Sequence, residues 1–246
     1  MSNPAAESVE HLVDRHPAVS PERLIAQLKP PPTFSGASFA SYRPDPAQPS
    51  QAAAVTACTT FCEQALVRRA GRRKLLGKRE VLPGVGIYLD GGFGVGKTHL
   101  LASVYRTITD APGAEPHATA FATFMELTQL AGVFGFTECI DLLADYVVVC
   151  IDEFELDDPG DTVLMSTLLG ELVSAGVCLA ASSNTLPDRL GEGRFAADDF
   201  LREIQGLSAH FDVLRVDGDD YRHRGLAAAP QPSTDEQVRA AVETVP

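Results

Sequence analysis

Between residues 85 and 217 the chain alternates short apolar runs with longer stretches in which apolar residues recur at helical spacing. The runs are VGIYLD, HATAFATF, VVVCID, VCLAASS and FDVLRVD, and each reads as a strand too apolar to keep one face in water. Between them lie THLLASVYRTI, MELTQLAGVF with TECIDLLAD, DTVLMSTLLGELVSAG and DDFLREIQGLSAH, which read as helices. Strands alternating with helices predict an α/β fold, with five parallel strands covered by helices on both faces. Upstream, residues 51–77 read as one helix with a basic end, and PERLIAQLK as a short one. The rest of residues 1–50 is rich in Pro, Ser and Ala and is expected to be extended or poorly ordered. Residues 226–246 read as a linker-like tail, which leaves 51–225 as the folded core.

The first strand runs into Gly91-Gly92-Phe93-Gly94-Val95-Gly96-Lys97-Thr98, a match to G-x-x-x-x-G-K-[ST] with a strand before it and a helix after it. Backbone N–H groups of such a loop wrap phosphates, and the helix that follows points its positive end at them. Lys97 is expected to reach the β- and γ-phosphates of ATP, and the Thr98 hydroxyl to coordinate Mg²⁺. This motif predicts a P-loop NTPase.

The third strand ends in Asp152 and Glu153. Carboxylates beside a buried strand are costly unless something positive faces them. A nucleotide-bound Mg²⁺ answers for Asp152, and Glu153 is then placed to polarise the attacking water as general base. Without that role a second acid would only add repulsion near a triphosphate. The pair therefore favours hydrolysis over plain nucleotide binding.

Charge and composition narrow the partners. The formal net charge is −13, which argues against broad binding to nucleic acid or anionic lipid. The run RRAGRRKLLGKR, residues 68–79, is the exception, and it reads as a solvated helix end favourable to the helix dipole. No apolar run approaches the length of a transmembrane helix, and the N-terminus has no signal-peptide core. The five cysteines (Cys58, Cys62, Cys139, Cys150, Cys178) have no zinc-site spacing and read as reduced small hydrophobes in a cytoplasmic protein. His99 reads as a packed residue rather than a ligand. Tyr42 and Gln51 lie where a segment folded over an adenine base would sit, or else in a disordered linker.

The stretches IDEFELDDPGDTVLMSTLLGELVSAGV, SSNTLPDRL and DGDDYRHR, with YRPDP…SQ ahead of the core, resemble the ZapE family of AAA+ ATPases. The similarity covers roughly residues 30–225 and includes the acids Asp157 and Asp161 and the late Asp220-Tyr221-Arg222. The resemblance implies the strand order 5-1-4-3-2, with the fourth strand between those carrying Lys97 and Asp152. It places a sensor at the end of that strand, here Asn184, able to bond the lytic water and the γ-phosphate. An arginine finger from a neighbouring subunit is expected after it. Arg189, Arg194 and Arg202 are candidates, and Arg194, in GEGRF, is the first choice. The arginine spacing there departs from the family pattern. Family members also continue into a further helical region, so the helical lid is expected to be missing or reduced here.

The resemblance further implies an ATP-hydrolysing protein of the cytoplasm that forms homo-oligomers on ATP binding. It would act on the bacterial division ring through a tubulin-like polymer protein. Two other readings compete: a helicase-loader-like protein acting on nucleic acid, whose best feature is the basic run, and a nonhydrolysing ATP-dependent scaffold.

Overall fold

The computed structural model describes residues 21–72, 82–114, 118–155, 159–186, 189–190 and 201–223. Its strands are β1 (Gly86–Asp90), β2 (Thr119–Thr123), β3 (Val148–Asp152), β4 (Cys178–Ser183) and β5 (Asp212–Arg215). They form one sheet in the order β2-β3-β4-β1-β5, the order expected, and every neighbouring pair is parallel.

The helices are α1 (Pro21–Gln27), α2 (Pro49–Arg72), α3 (Lys97–Thr109), α4 (Phe124–Phe134), α5 (Phe136–Ala144), α6 (Pro159–Ser174) and α7 (Leu201–Ser208). Strand side chains alternate between two cores. Tyr88, Ala120, Ala122, Val149, Ile151, Leu179 and Ala181 pack with the buried faces of α4, α5 and α6. Ile87, Leu89, Phe121, Val148, Cys150, Cys178 and Ala180 pack with α2 and α3. Period-two alternation with both faces covered explains why β1, β3 and β4 are apolar up to their polar C-terminal ends and buried at every position.

The sheet edges differ. On β2, Phe121 N donates to Leu28 O just beyond α1, which covers part of that edge. Among the described residues no strand pairs with the outer edge of β5, and three of its four residues are exposed. Thr123 and Glu126 form a capping box that starts α4 directly at the end of β2. Gly135, at φ 89°, separates α4 from α5, and the two helices bend by 118° there. Among the described residues no single helix is long and apolar enough to cross a membrane.

The expected leading helix begins at Pro49, a residue suited to a first helical turn, and is described as far as Arg72. Of the basic run, Arg68 donates to Pro83 O and Arg69 to Gly113 O, so these two tie loops together. Residues 73–79 of that run lie outside the described residues, as do the tail from 224 onward and the first twenty residues.

All five cysteines are free and buried. Burial pushes the thiols of Cys58 and Cys62 up to about 12 and that of Cys139 up to about 11, and it raises Cys150 as well. Since the thiolate is the reactive form, an aromatic disulfide reagent at pH 8 is expected to label native protein very slowly. All five should react promptly in denaturant. Fast labelling of two or more thiols in the native protein would contradict this packing.

Candidate functional site

The five strand ends set the geometry. β4 lies between β1 and β3, so Asp90 stands beside Ser183, and Asp152 follows the Ile151–Ala181 pair. Neighbouring strands are about 4.8 Å apart, which puts the start of the phosphate loop and the acidic pair about 10 Å apart across the tip of β4. In an open parallel sheet the crevice at these C-terminal ends is where ligands bind.

Gly94 and Gly96 have φ of 69° and 97°, values an L-residue adopts only with strain, and Gly96 is the N-terminal cap of α3. They turn the chain so that Lys97 and Thr98 open the helix. The Lys97 ammonium donates to Gly91 O at 2.7 Å, Gly92 O at 2.6 Å and Asn184 Oδ1 at 3.0 Å. Burial lowers its pKa, and the carboxylates of Asp90 and Asp152 act in the opposite direction.

Asp152 is only 6% exposed. Its Oδ1 accepts from the Thr98 hydroxyl at 3.1 Å and from the Ser182 hydroxyl. The oxygen-only set of Thr98 and Asp152 suits a hard cation such as Mg²⁺. Glu153 is exposed and, at φ 54°, is the one non-glycine residue with positive φ among those described. Backbone strain of this kind is held only where the surroundings impose it. Here Phe154 imposes it: its N–H donates to Ser182 O at 2.7 Å, and its buried ring packs edge-on to Tyr88, Phe124 and Phe211.

Lys97, Thr98, Asp152, Glu153 and Asn184 line one pocket of about 430 Å³, together with loop residues Phe93 to Gly96. Two distant segments complete its wall. From the N-terminal side, Tyr42 donates through its hydroxyl to Val95 O at 2.8 Å. Gln51 receives Asp45 N and donates to Asp217 O, both at 2.8 Å. From the C-terminal side, Tyr221 N donates to Gly94 O at 2.9 Å, and Arg222 pairs with Asp220. His99, half-buried and lining the same pocket, lies within hydrogen-bond distance of Ser41 Oγ and Ser38 O through its Nε2.

Three contacts had no signal in sequence, although Asp220 itself belongs to the late motif. Glu155, two residues past Glu153, accepts bonds from Ser183, Asn184 and Thr185. Asp90, buried at the end of β1, is paired with Arg215 of β5. Asp220 lies against Gly94. Each joins residues far apart in the chain, where only the fold brings them together. Arg194 and Asp157 lie outside the described residues. Asp161 falls in the first turn of α6 and Arg202 is exposed on α7, while Arg189 N donates to Leu186 O.

A Cβ at Gly94 would sit 1.8 Å from Asp220 Oδ1, on a backbone that also disfavours it. Gly94→Ala is therefore expected to weaken nucleotide binding by about tenfold or more, with backbone strain of about 1–3 kcal/mol among the causes. Adding Asp220→Ala should recover part of the loss, because it relieves the clash and leaves the strain. Titration of a fluorescent ATP analogue checks this, and unchanged affinity in Gly94→Ala would refute it.

The comparisons agree with these motifs. A family model described as AFG1-like ATPase matches residues 18–245. Cell division protein ZapE of Escherichia coli (strain K12) is 37% identical over 178 residues, covering 67% of this chain and 45% of that protein. Lactation elevated protein 1 homolog B of Danio rerio is 23% identical over 165 residues, 60% of this chain and 32% of the relative. The chain thus spans less than half the length of either relative. Among solved structures, DnaI superposes with a TM-score of 0.53 at 16% identity, covering 80% of this chain and 98% of that one. AMPPCP-bound DnaA from Aquifex aeolicus gives 0.53 at 13% identity, covering 86% and 61%. These likenesses establish the fold as that of AAA+ P-loop proteins. With strand order, motif positions and family match in agreement, the chain belongs to the AFG1-like ATPase family and is a relative of ZapE.

Proposed function

We propose that this protein is a Mg²⁺-dependent ATPase that acts on the bacterial cell-division ring. The observation that carries the hydrolytic part is the 3.1 Å bond between Thr98 Oγ1 and Asp152 Oδ1. It joins the phosphate loop to the acidic pair, in the same pocket as Glu153 and Asn184.

The loop amides from Gly91 to Thr98 and the start of α3 bind the triphosphate, with Lys97 on its β- and γ-phosphates. Thr98 and Asp152 hold Mg²⁺, which when bound neutralises charge on the phosphate oxygens. Glu153 takes the proton of the attacking water, and Asn184 orients that water against the γ-phosphate. The bond from the terminal phosphorus to its bridging oxygen breaks, and ADP and phosphate leave. Arg194 of a neighbouring subunit supplies the finger, so ATP binding favours homo-oligomers.

Support for the biological role comes from the relative named cell division protein ZapE. The motif resemblance described above extends this reading to work in the cytoplasm, with the tubulin-like division polymer as partner. The net charge of −13 disfavours a nucleic-acid substrate.

Phosphate release measured with and without the polymer protein tests the reading. Glu153→Gln is expected to lower turnover by about 10²- to 10⁴-fold while keeping ATP affinity, and EDTA should stop the wild type. Equal, negligible release by wild type and Glu153→Gln in both conditions would leave a nonhydrolysing scaffold instead.

A further inference from the structure

Glu155 takes no part in the phosphate loop, the acidic pair or the pocket wall, yet it accepts three hydrogen bonds from residues at the end of β4. Its Oε1 accepts from Ser183 Oγ at 2.9 Å and from Asn184 N at 3.3 Å. Its Oε2 accepts from Thr185 Oγ1 at 3.2 Å. Thr185 N in turn donates to Ser183 Oγ at 3.0 Å, so three consecutive residues converge on one side chain. A carboxylate suits this cluster because it offers about four acceptor sites and no donor.

The same turn is gripped from its other side. Tyr88 of β1 donates through its hydroxyl to Thr185 O at 2.7 Å. Phe154, next to Glu155, donates through its N–H to Ser182 O at 2.7 Å. The backbone of Asn184 is thus held from both neighbouring strands, and its Oδ1 meets Lys97 Nζ at 3.0 Å. Asp152 and Glu153 line the pocket and Glu155 does not, so the two glutamates of DEFE divide between the chemistry and its support.

We infer that Glu155 is a positioning residue: it fixes the turn after β4 so that Asn184 meets the γ-phosphate and the attacking water in one orientation. This inference rests on the role given to Asn184 above. Orientation matters chiefly in the transition state, since displacement of a reacting group by an ångström can cost about 10²-fold in rate. Removing Glu155 should therefore change kcat rather than KM.

The test is steady-state ATP hydrolysis by the full chain, carrying Glu155→Ala, Glu155→Gln, Asn184→Ala or the double change Glu155→Ala/Asn184→Ala. Glu155→Ala is expected to lower kcat by about 10- to 100-fold with KM for MgATP within about threefold. In the Asn184→Ala background it should cost no more than about twofold further, because the two residues act as one unit. Glu155→Gln keeps the shape and one acceptor oxygen, so its kcat should fall between wild type and Glu155→Ala. Should the alanine variant not fold, as judged by its melting curve, Glu155→Gln carries the same cycle: a loss of about threefold or more that vanishes in Asn184→Ala supports the inference. Wild-type kcat in the Glu155 variants, a change confined to KM, or losses that multiply with Asn184→Ala would overturn it. An active wild type with indifferent Glu155 variants sinks this inference alone. A wild type that releases no phosphate sinks the hydrolytic reading, and this inference with it.

Discussion

A buried carboxylate beside a phosphate-binding loop is the constraint from which the rest of the site follows. Asp152 ends a fully buried strand at 6% exposure, where an unpaired charge would be costly. The fold offsets that cost with hydroxyls from two other elements, Thr98 on α3 and Ser182 on β4. With β4 between the strands that carry the loop and the acid, Ser182 lies beside Asp152 and Thr98 reaches it across the strand tip. The strand order thus brings together the groups that stabilise Asp152.

Around that centre, the ends of the strands are locked to one another rather than left as loops. Phe154 anchors the chain after β3 in an aromatic cluster and holds Glu153 at positive φ. The residues after β4 are bonded from β1 through Tyr88 and from the β3 side through Glu155. Asp90, at the mouth of the phosphate loop, is paired with Arg215 from β5. A site made of strand ends gains rigidity from such crosslinks, since β1, β3 and β4 are themselves fixed by burial on both faces.

The pocket walls show a second principle. Tyr42 from the N-terminal segment and Tyr221 from beyond β5 each bond a carbonyl of the glycine loop, Val95 O and Gly94 O. Carbonyls turned outward by a tight loop would otherwise depend on water. The two segments satisfy them while enclosing the space in front of Lys97, so loop geometry and pocket shape are set together.

The sequence by itself determined the strands, the phosphate loop, the acidic pair and the membership of the fold. Each is a local pattern: a short apolar run, a helical period, a glycine spacing, an acid at the end of an apolar run. Asn184 was picked out by the family resemblance, which places a polar residue at the end of the fourth strand. Only the tertiary structure decided how those parts are held. Tyr42 reaches Val95 across 53 positions, Arg215 reaches Asp90 across 125, and Glu155 reaches Ser183 and Thr185 across 28 and 30. Such bonds leave no periodic trace, because the residues become neighbours only when parallel strands from distant parts of the chain are laid side by side. Helical and strand periods arise from the backbone's own geometry; partners across a sheet are chosen by the packing of the whole.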